Sequence, residues 1–184
     1  MKHVLIVLII TVIPTLLFAQ ELEFGITFKF SDGQDFTDLT VGVSPNGSGG
    51  ELDQLAPPPP PDGAFYARMN VNGISYITKY FDNNLSTKGL SFEFDSSFYS
   101  DYSNSLDNYN IRPVTMTWDH VALNILGTFT IKYLAPNEDE DGYIYEYVHL
   151  NDLDGIFTIF PANSDSSILE FTSFYLEFTP SGNN

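Results

Sequence analysis

From residue 22 onward, apolar and polar residues alternate with period two in segment after segment, and no stretch of a dozen residues keeps the i, i+3, i+4, i+7 spacing of an amphipathic helix. Successive side chains of a strand point to opposite faces, so this pattern predicts strands with one face buried. They fall at residues 22–30, 39–43, 65–71, 75–81, 90–94, 114–118, 128–134, 143–150, 156–160 and 168–178, rich in Phe, Tyr, Ile, Val and Thr. About ten short strands separated by Gly, Pro, Asn, Asp and Ser clusters predict an all-β fold, a two-sheet antiparallel β-sandwich of Ig-like or jelly-roll-like kind. Asn72-Gly73 between two alternating runs predicts a hairpin with a type I′ turn, which needs φ > 0 at both central residues. In that hairpin Phe65, Ala67, Met69 and Val71 take the inward parity, with Tyr66, Arg68 and Asn70 on the other. Trp118, at a strand end, is expected in the core.

Two segments break the alternation. Residues 44–63 carry five consecutive prolines, which donate no backbone hydrogen bonds and favour polyproline II, so a stiff crossing over the surface is expected. Residues 96–110 are rich in Ser and Asn yet keep four aromatic residues, the composition of a long surface loop.

Ahead of the first strand, Lys2 and His3 precede an apolar run from Val4 to Phe18 broken only by Thr11, Pro14 and Thr15. The run is shorter than the ~20 residues a spanning helix needs, and Ala19 supplies a small residue for cleavage. Residues 1–19 therefore read as a signal peptide, and residues 20–184 as a single domain, large enough for a core without disulfides. There is no cysteine, hence neither a disulfide nor the acyl anchor of a lipoprotein. The expected location is secreted or extracellular, or the periplasm. Loss of Lys2 takes the formal charge from −17 down by one to −18, and six scattered cations offer nucleic acid no basic stripe. Anionic membrane surfaces are repelled, and no membrane insertion is expected after signal cleavage. Cations, glycans and proteins at the cell exterior remain as partners.

The run Val41-Gly42-Val43-Ser44-Pro45, the acidic Glu51-Leu52-Asp53, the proline block 57–61, Phe65-Tyr66-Ala67-Arg68 and the later Val114-Thr115-Met116-Thr117-Trp118-Asp119 occur in that order. Together they resemble an uncharacterised β-sandwich domain of secreted bacterial proteins, often found upstream of type IX sorting domains. The resemblance spans residues 37–120 and implies the fold and the bacterial cell exterior, with no activity or site residue attached.

The best spacing for chemistry is Asn137-Glu138-Asp139-Glu140-Asp141-Gly142. Oxygen ligands at alternate positions before a glycine are how a loop wraps calcium, with Asn137, Asp139 and Asp141 as ligands. Val148 stands where the closing glutamate of a helix-loop-helix site would be, which leaves a loop between strands completed from elsewhere. A second acidic turn, Asn151 to Gly155, falls at the opposite end of the fold if residues 143–150 and 156–160 pair as a hairpin; hairpin geometry alone accounts for its Asp and Asn. His120 and His149 lack metal-binding spacing. Neither a cysteine nor a G-x-S-x-G motif is present, so no catalytic residue is assigned and enzyme activity is not expected. Exposed tyrosines flanked by polar residues suit a glycan-binding face, and the candidates are Tyr143, Tyr145 and Tyr147 on one strand face, opposite Ile144, Glu146 and Val148, with Tyr99, Tyr102 and Tyr109 in the long loop. The leading expectation is a secreted, non-enzymatic structural or adhesion-type interaction module, calcium-stabilised if the acidic loop is occupied. The alternatives are a carbohydrate-binding module using those tyrosines and a glycan-active enzyme with two carboxylates across a groove.

Overall fold

Alternation at period two produces strands wherever a turn sequence lets the chain reverse. The computed structural model describes residues 23–45, 47, 51–60, 65–94, 114–136, 143–159 and 173–181, the side chains of 134–136, 143, 159 and 173 excepted. Among these, eleven strands and one short helix follow in order: β1 (Phe24–Ser31), β2 (Phe36–Ser44), β3 (Gln54–Leu55), β4 (Ala67–Val71), β5 (Ile74–Asp82), β6 (Lys88–Phe94), β7 (Val114–Thr117), α1 (His120–Leu126), β8 (Gly127–Pro136), β9 (Tyr143–His149), β10 (Ile156–Ile159) and β11 (Ser173–Pro180). The β4–β5 hairpin closes as expected, with Asn72 at φ 53° and Gly73 at φ 82°, and Gly73 N–H donates to Asn70 Oδ1 at 2.9 Å.

The chain is mostly β, as the alternation predicts, but its connectivity differs from two antiparallel sheets. One mixed, hydrogen-bonded sheet runs β10-β7-β1-β2-β5-β4-β6-β11-β8-β9, with β3 on β5. Thr40 to Ser44 of β2 pair in parallel with Thr78 to Asp82 of β5. The cause is the segment between them: the chain leaves β2, crosses with its prolines, and returns as the β4–β5 hairpin, which lays β5 beside β2 in the same direction. Alternation fixes which face a residue takes and leaves the neighbouring strand open. Residues 143–150 and 156–160 do not form a hairpin; β9 pairs with β8 and β10 with β7, and they are the two ends of the sheet.

The sheet curls into a half-barrel. Phe28 and Phe30 of β1 meet Phe92 of β6 at ring distances of 5.7 and 4.9 Å, although β2, β5 and β4 lie between β1 and β6 in the path. Phe129 of β8 and Phe174 of β11 close the same cluster. Burying each of these rings contributes on the order of 2–3 kcal/mol, and the fully buried set includes Phe28, Phe30, Phe92, Phe129 and Phe178. Trp118 joins this core, tilted against Phe28.

Helix α1, which the periodicity does not announce, stops one end of the half-barrel. Asp119 Oδ1 accepts from the Val121 and Ala122 backbone N–H groups at 3.0 Å each, satisfying donors that a helix start leaves unpaired. Leu123 is buried, while Val121 and Ile125 stay exposed. Leu150 to Asp152 form a single 3-10 turn after β9. From it the Asn151 amide accepts from Phe129 N–H at 2.8 Å and donates to Gly127 O at 2.8 Å and Asn124 Oδ1 at 2.9 Å. One side chain thus ties this turn to α1 and to the start of β8.

The described part of the proline crossing is a strap fastened at Asp53, Ala56 and Pro57. Asp53 Oδ1 accepts from Tyr80 N–H at 2.9 Å, and Asp53 Oδ2 accepts from the Lys79 ammonium. Lys79 stands opposite Val41 on the inward parity, 7% exposed, with its ammonium over the Tyr76 and Phe81 rings. Ala56 N–H donates to Ser75 O at 3.0 Å, and Tyr66 Oη donates to Pro57 O at 2.5 Å. Tyr66 keeps its expected parity yet is buried, because the strap covers it.

Candidate recognition face

On the outer face of the half-barrel, alternation sends Ser91, Tyr175, Lys132 and Tyr147 outward from β6, β11, β8 and β9. Register lines them up: Ser91 opposes Tyr175, Tyr175 opposes Lys132, and Lys132 opposes Tyr147. Tyr145, two residues before Tyr147, shares its face. Tyr145 is 61% exposed, Tyr147 58% and Tyr175 39%. The Lys132 ammonium lies 4.2 Å from the Tyr145 ring centre and 5.7 Å from that of Tyr147, within cation–π range. Among the described residues the ion pairs are Arg68–Glu93 and Lys79–Asp53, so no described carboxylate lies within ion-pair distance of the Lys132 ammonium.

Tyr175 is held across Gly89 on β6. A Cβ at Gly89 would sit 1.8 Å from Tyr175 Oη, so the ring takes this position only over a glycine. A tyrosine laid over a strand glycine covers a weak point of the sheet and fixes its own orientation.

The opposite face of β9 is built differently. Tyr133 opposes Glu146 and donates its phenol hydrogen to Glu146 Oε2. Burial, then the hydrogen bond and charge of Glu146, push the Tyr133 phenol up to about 12. Its ring packs 6.3 Å from Phe157 of β10, so β8, next to one end of the sheet, approaches the strand at the other end. Val148 packs against the core, and Ile144 remains exposed.

Of the residues expected to bind ligand, Tyr145 and Tyr147 come together on one exposed face. Tyr143 opens the same strand opposite Pro136, and its side chain lies outside the description. Tyr99, Tyr102 and Tyr109, and the calcium candidates Asn137, Asp139 and Asp141, lie outside the described residues. Among the described residues no group of three His, Asp or Glu is placed to hold a metal ion. Nor is any described helix long and apolar enough to cross a membrane. His149 Nδ1 lies 3.0 Å from Thr130 Oγ1 across the β8–β9 pair, and His120 opens α1. Sequence reasoning missed Tyr175 and Lys132. Both sit on the polar parity of clear strands, but only register brings them beside Tyr147.

Fold and face together define a mostly-β half-barrel with a tyrosine- and lysine-bearing outer surface. No family model, no curated protein and no solved structure matches the chain.

Proposed function

We propose that the chain is a secreted, non-enzymatic interaction module acting at the cell exterior through the outer face of β11, β8 and β9. The carrying observation is that Tyr145, Tyr147 and Tyr175 are turned to water on hydrogen-bonded strands. Tyrosine combines a large apolar surface with a polar tip and loses little side-chain freedom on binding, which suits it to recognition. The two halves of the curled sheet facing each other across the phenylalanine core support reading the fold as a sandwich whose sheets merge through β2, β5 and β4. Calcium at Asn137, Asp139 and Asp141 belongs to the same proposal and rests on their spacing alone. The strong negative charge argues against nucleic acid as partner.

A second reading, glycan binding, is favoured by the same exposure, because stacking on a sugar ring requires tyrosines that do not fold inward. The test compares wild type with Tyr145→Ala/Tyr147→Ala in two assays, electrophoresis through gels cast with neutral polysaccharides and sedimentation of the protein alone. We expect the variant to melt within about 2 °C of wild type, since exposed substitutions change stability little. It should also lose the gel retention or self-association of wild type. Indistinguishable behaviour of the two proteins in both assays would refute the recognition face.

A further inference from the structure

We infer that Asn72 is a site of spontaneous covalent modification, the loss of its side-chain amide to the backbone nitrogen of Gly73, and that Asn70 sets the rate. Asn72 and Gly73 form the tip of the β4–β5 hairpin, beyond the last pair of its ladder, Val71 with Ile74. Both are exposed. A Cβ at Gly73 would meet nothing within 4 Å, so open space and water flank the backbone there. Among the described residues the Asn72 side chain has no hydrogen-bond partner, which leaves its amide free to turn.

The reaction is internal. The Gly73 backbone nitrogen gives up its proton to solvent base and bonds to Asn72 Cγ. The Cγ–Nδ2 bond breaks, and the amide nitrogen leaves as ammonia, carrying a proton in place of the one removed. One water then opens the resulting five-membered imide. Attack at Cγ leaves an aspartate, whereas attack at the backbone carbonyl leaves an isoaspartate, in which the main chain runs through the side-chain carbon. The balance is asparagine plus water to aspartate or isoaspartate plus ammonia, with no other reactant. Glycine at the nucleophilic position carries no Cβ to crowd the closing ring.

In the folded hairpin this nucleophile is engaged. Gly73 N–H donates to Asn70 Oδ1 at 2.9 Å. Ring closure needs that proton removed and the peptide swung toward the Asn72 side chain, and both break the bond. The same bond secures the turn, whose positive φ at Asn72 and Gly73, 53° and 82°, is the type I′ conformation. Asn70 is a firm acceptor because its backbone is paired on both sides, with Ser75 of β5 and Ser91 of β6. The product matters to the sheet as well. An isoaspartate adds a backbone carbon to a two-residue loop whose length sets the β4–β5 register, beside the row that runs from Asn70 through Ser91 to Tyr175.

The experiment incubates the folded protein in mildly alkaline buffer as wild type, Asn70→Ala and Asn70→Asp, with wild type in denaturant as reference. Peptide mass spectrometry follows conversion at residue 72 and separates it from the other Asn-Gly step, 46–47. Folded wild type should convert more slowly than the denatured chain. Asn70→Ala should convert about fivefold faster than folded wild type, the equivalent of the ~1 kcal/mol that one hydrogen bond contributes. Asn70→Asp keeps an acceptor for Gly73 N–H and should not exceed the wild-type rate. Hydrogen exchange at the Gly73 amide of wild type should be slower than in the unfolded chain, a readout that stands even where Asn70→Ala fails to fold. Folded Asn70→Ala converting no faster than wild type, Asn70→Asp converting as fast as Asn70→Ala, or a Gly73 amide exchanging as freely as in the unfolded chain would each overturn the inference.

Discussion

Removing the carboxylate of Asp53 leaves the Lys79 ammonium without a counterion in a site where it is 7% exposed, against Tyr76 and Phe81. Breaking a buried pair from one side costs about 3–5 kcal/mol, because the surviving charge stays desolvated and unpaired. Asp53→Ala also removes the acceptor of the Tyr80 N–H, worth about 1 kcal/mol. In a domain of this size 1 kcal/mol moves the melting temperature by about 2–4 °C, so Asp53→Ala should lower it by roughly 10 °C or more. Removing both charges has a different outcome: apolar replacement of a buried pair is often neutral, so Asp53→Ala/Lys79→Met should recover much of the loss. Asp53→Asn, which retains an acceptor for Tyr80, should fall between wild type and Asp53→Ala. Thermal unfolding followed by circular dichroism across the four proteins decides the matter. A double variant no more stable than Asp53→Ala would refute the orphaned charge as the source of the loss.

Two further predictions concern the seams of the half-barrel. Asn151→Ala strips the bonds to Phe129 N–H, Gly127 O and Asn124 Oδ1 and should cost about 2 kcal/mol, read as a fall of about 6 °C in melting temperature; an unchanged melting temperature would remove Asn151 from its bridging role. Tyr133 has its folded-state phenol raised to about 12 from the ordinary 10, so the folded protein holds that proton more tightly than the unfolded chain. Its contribution is complete below pH 10 and fades as pH rises through 12. Denaturant titrations between these limits should show a steeper loss of stability for wild type than for Tyr133→Phe, and equal slopes would contradict the coupling to Glu146.

Strand positions were readable because each half-buried strand writes its own alternation, and even the β4–β5 turn follows from Asn72-Gly73 alone. The parallel β2–β5 pair was not, since parity says nothing about neighbours. Helix α1 was hidden because seven residues with Val121 and Ile125 exposed present almost no periodic signal. Tyr66 shows a further limit: its parity points outward, and a strap arriving from nine residues earlier buries it. On the candidate face, Tyr145 and Tyr147 were visible as neighbours on one strand. Lys132 and Tyr175, distant in sequence, enter only through pairing register.

The Tyr175 ring lying across Gly89 makes these two positions epistatic. The three nearest atoms that a Cβ at Gly89 would meet all belong to the Tyr175 side chain, so an alanine there must push that ring aside, a conflict that is absent beside serine. Enlarging residue 89 therefore displaces or removes one aromatic of the outer face. A lineage that kept this ring in its present position would also keep the glycine beneath it.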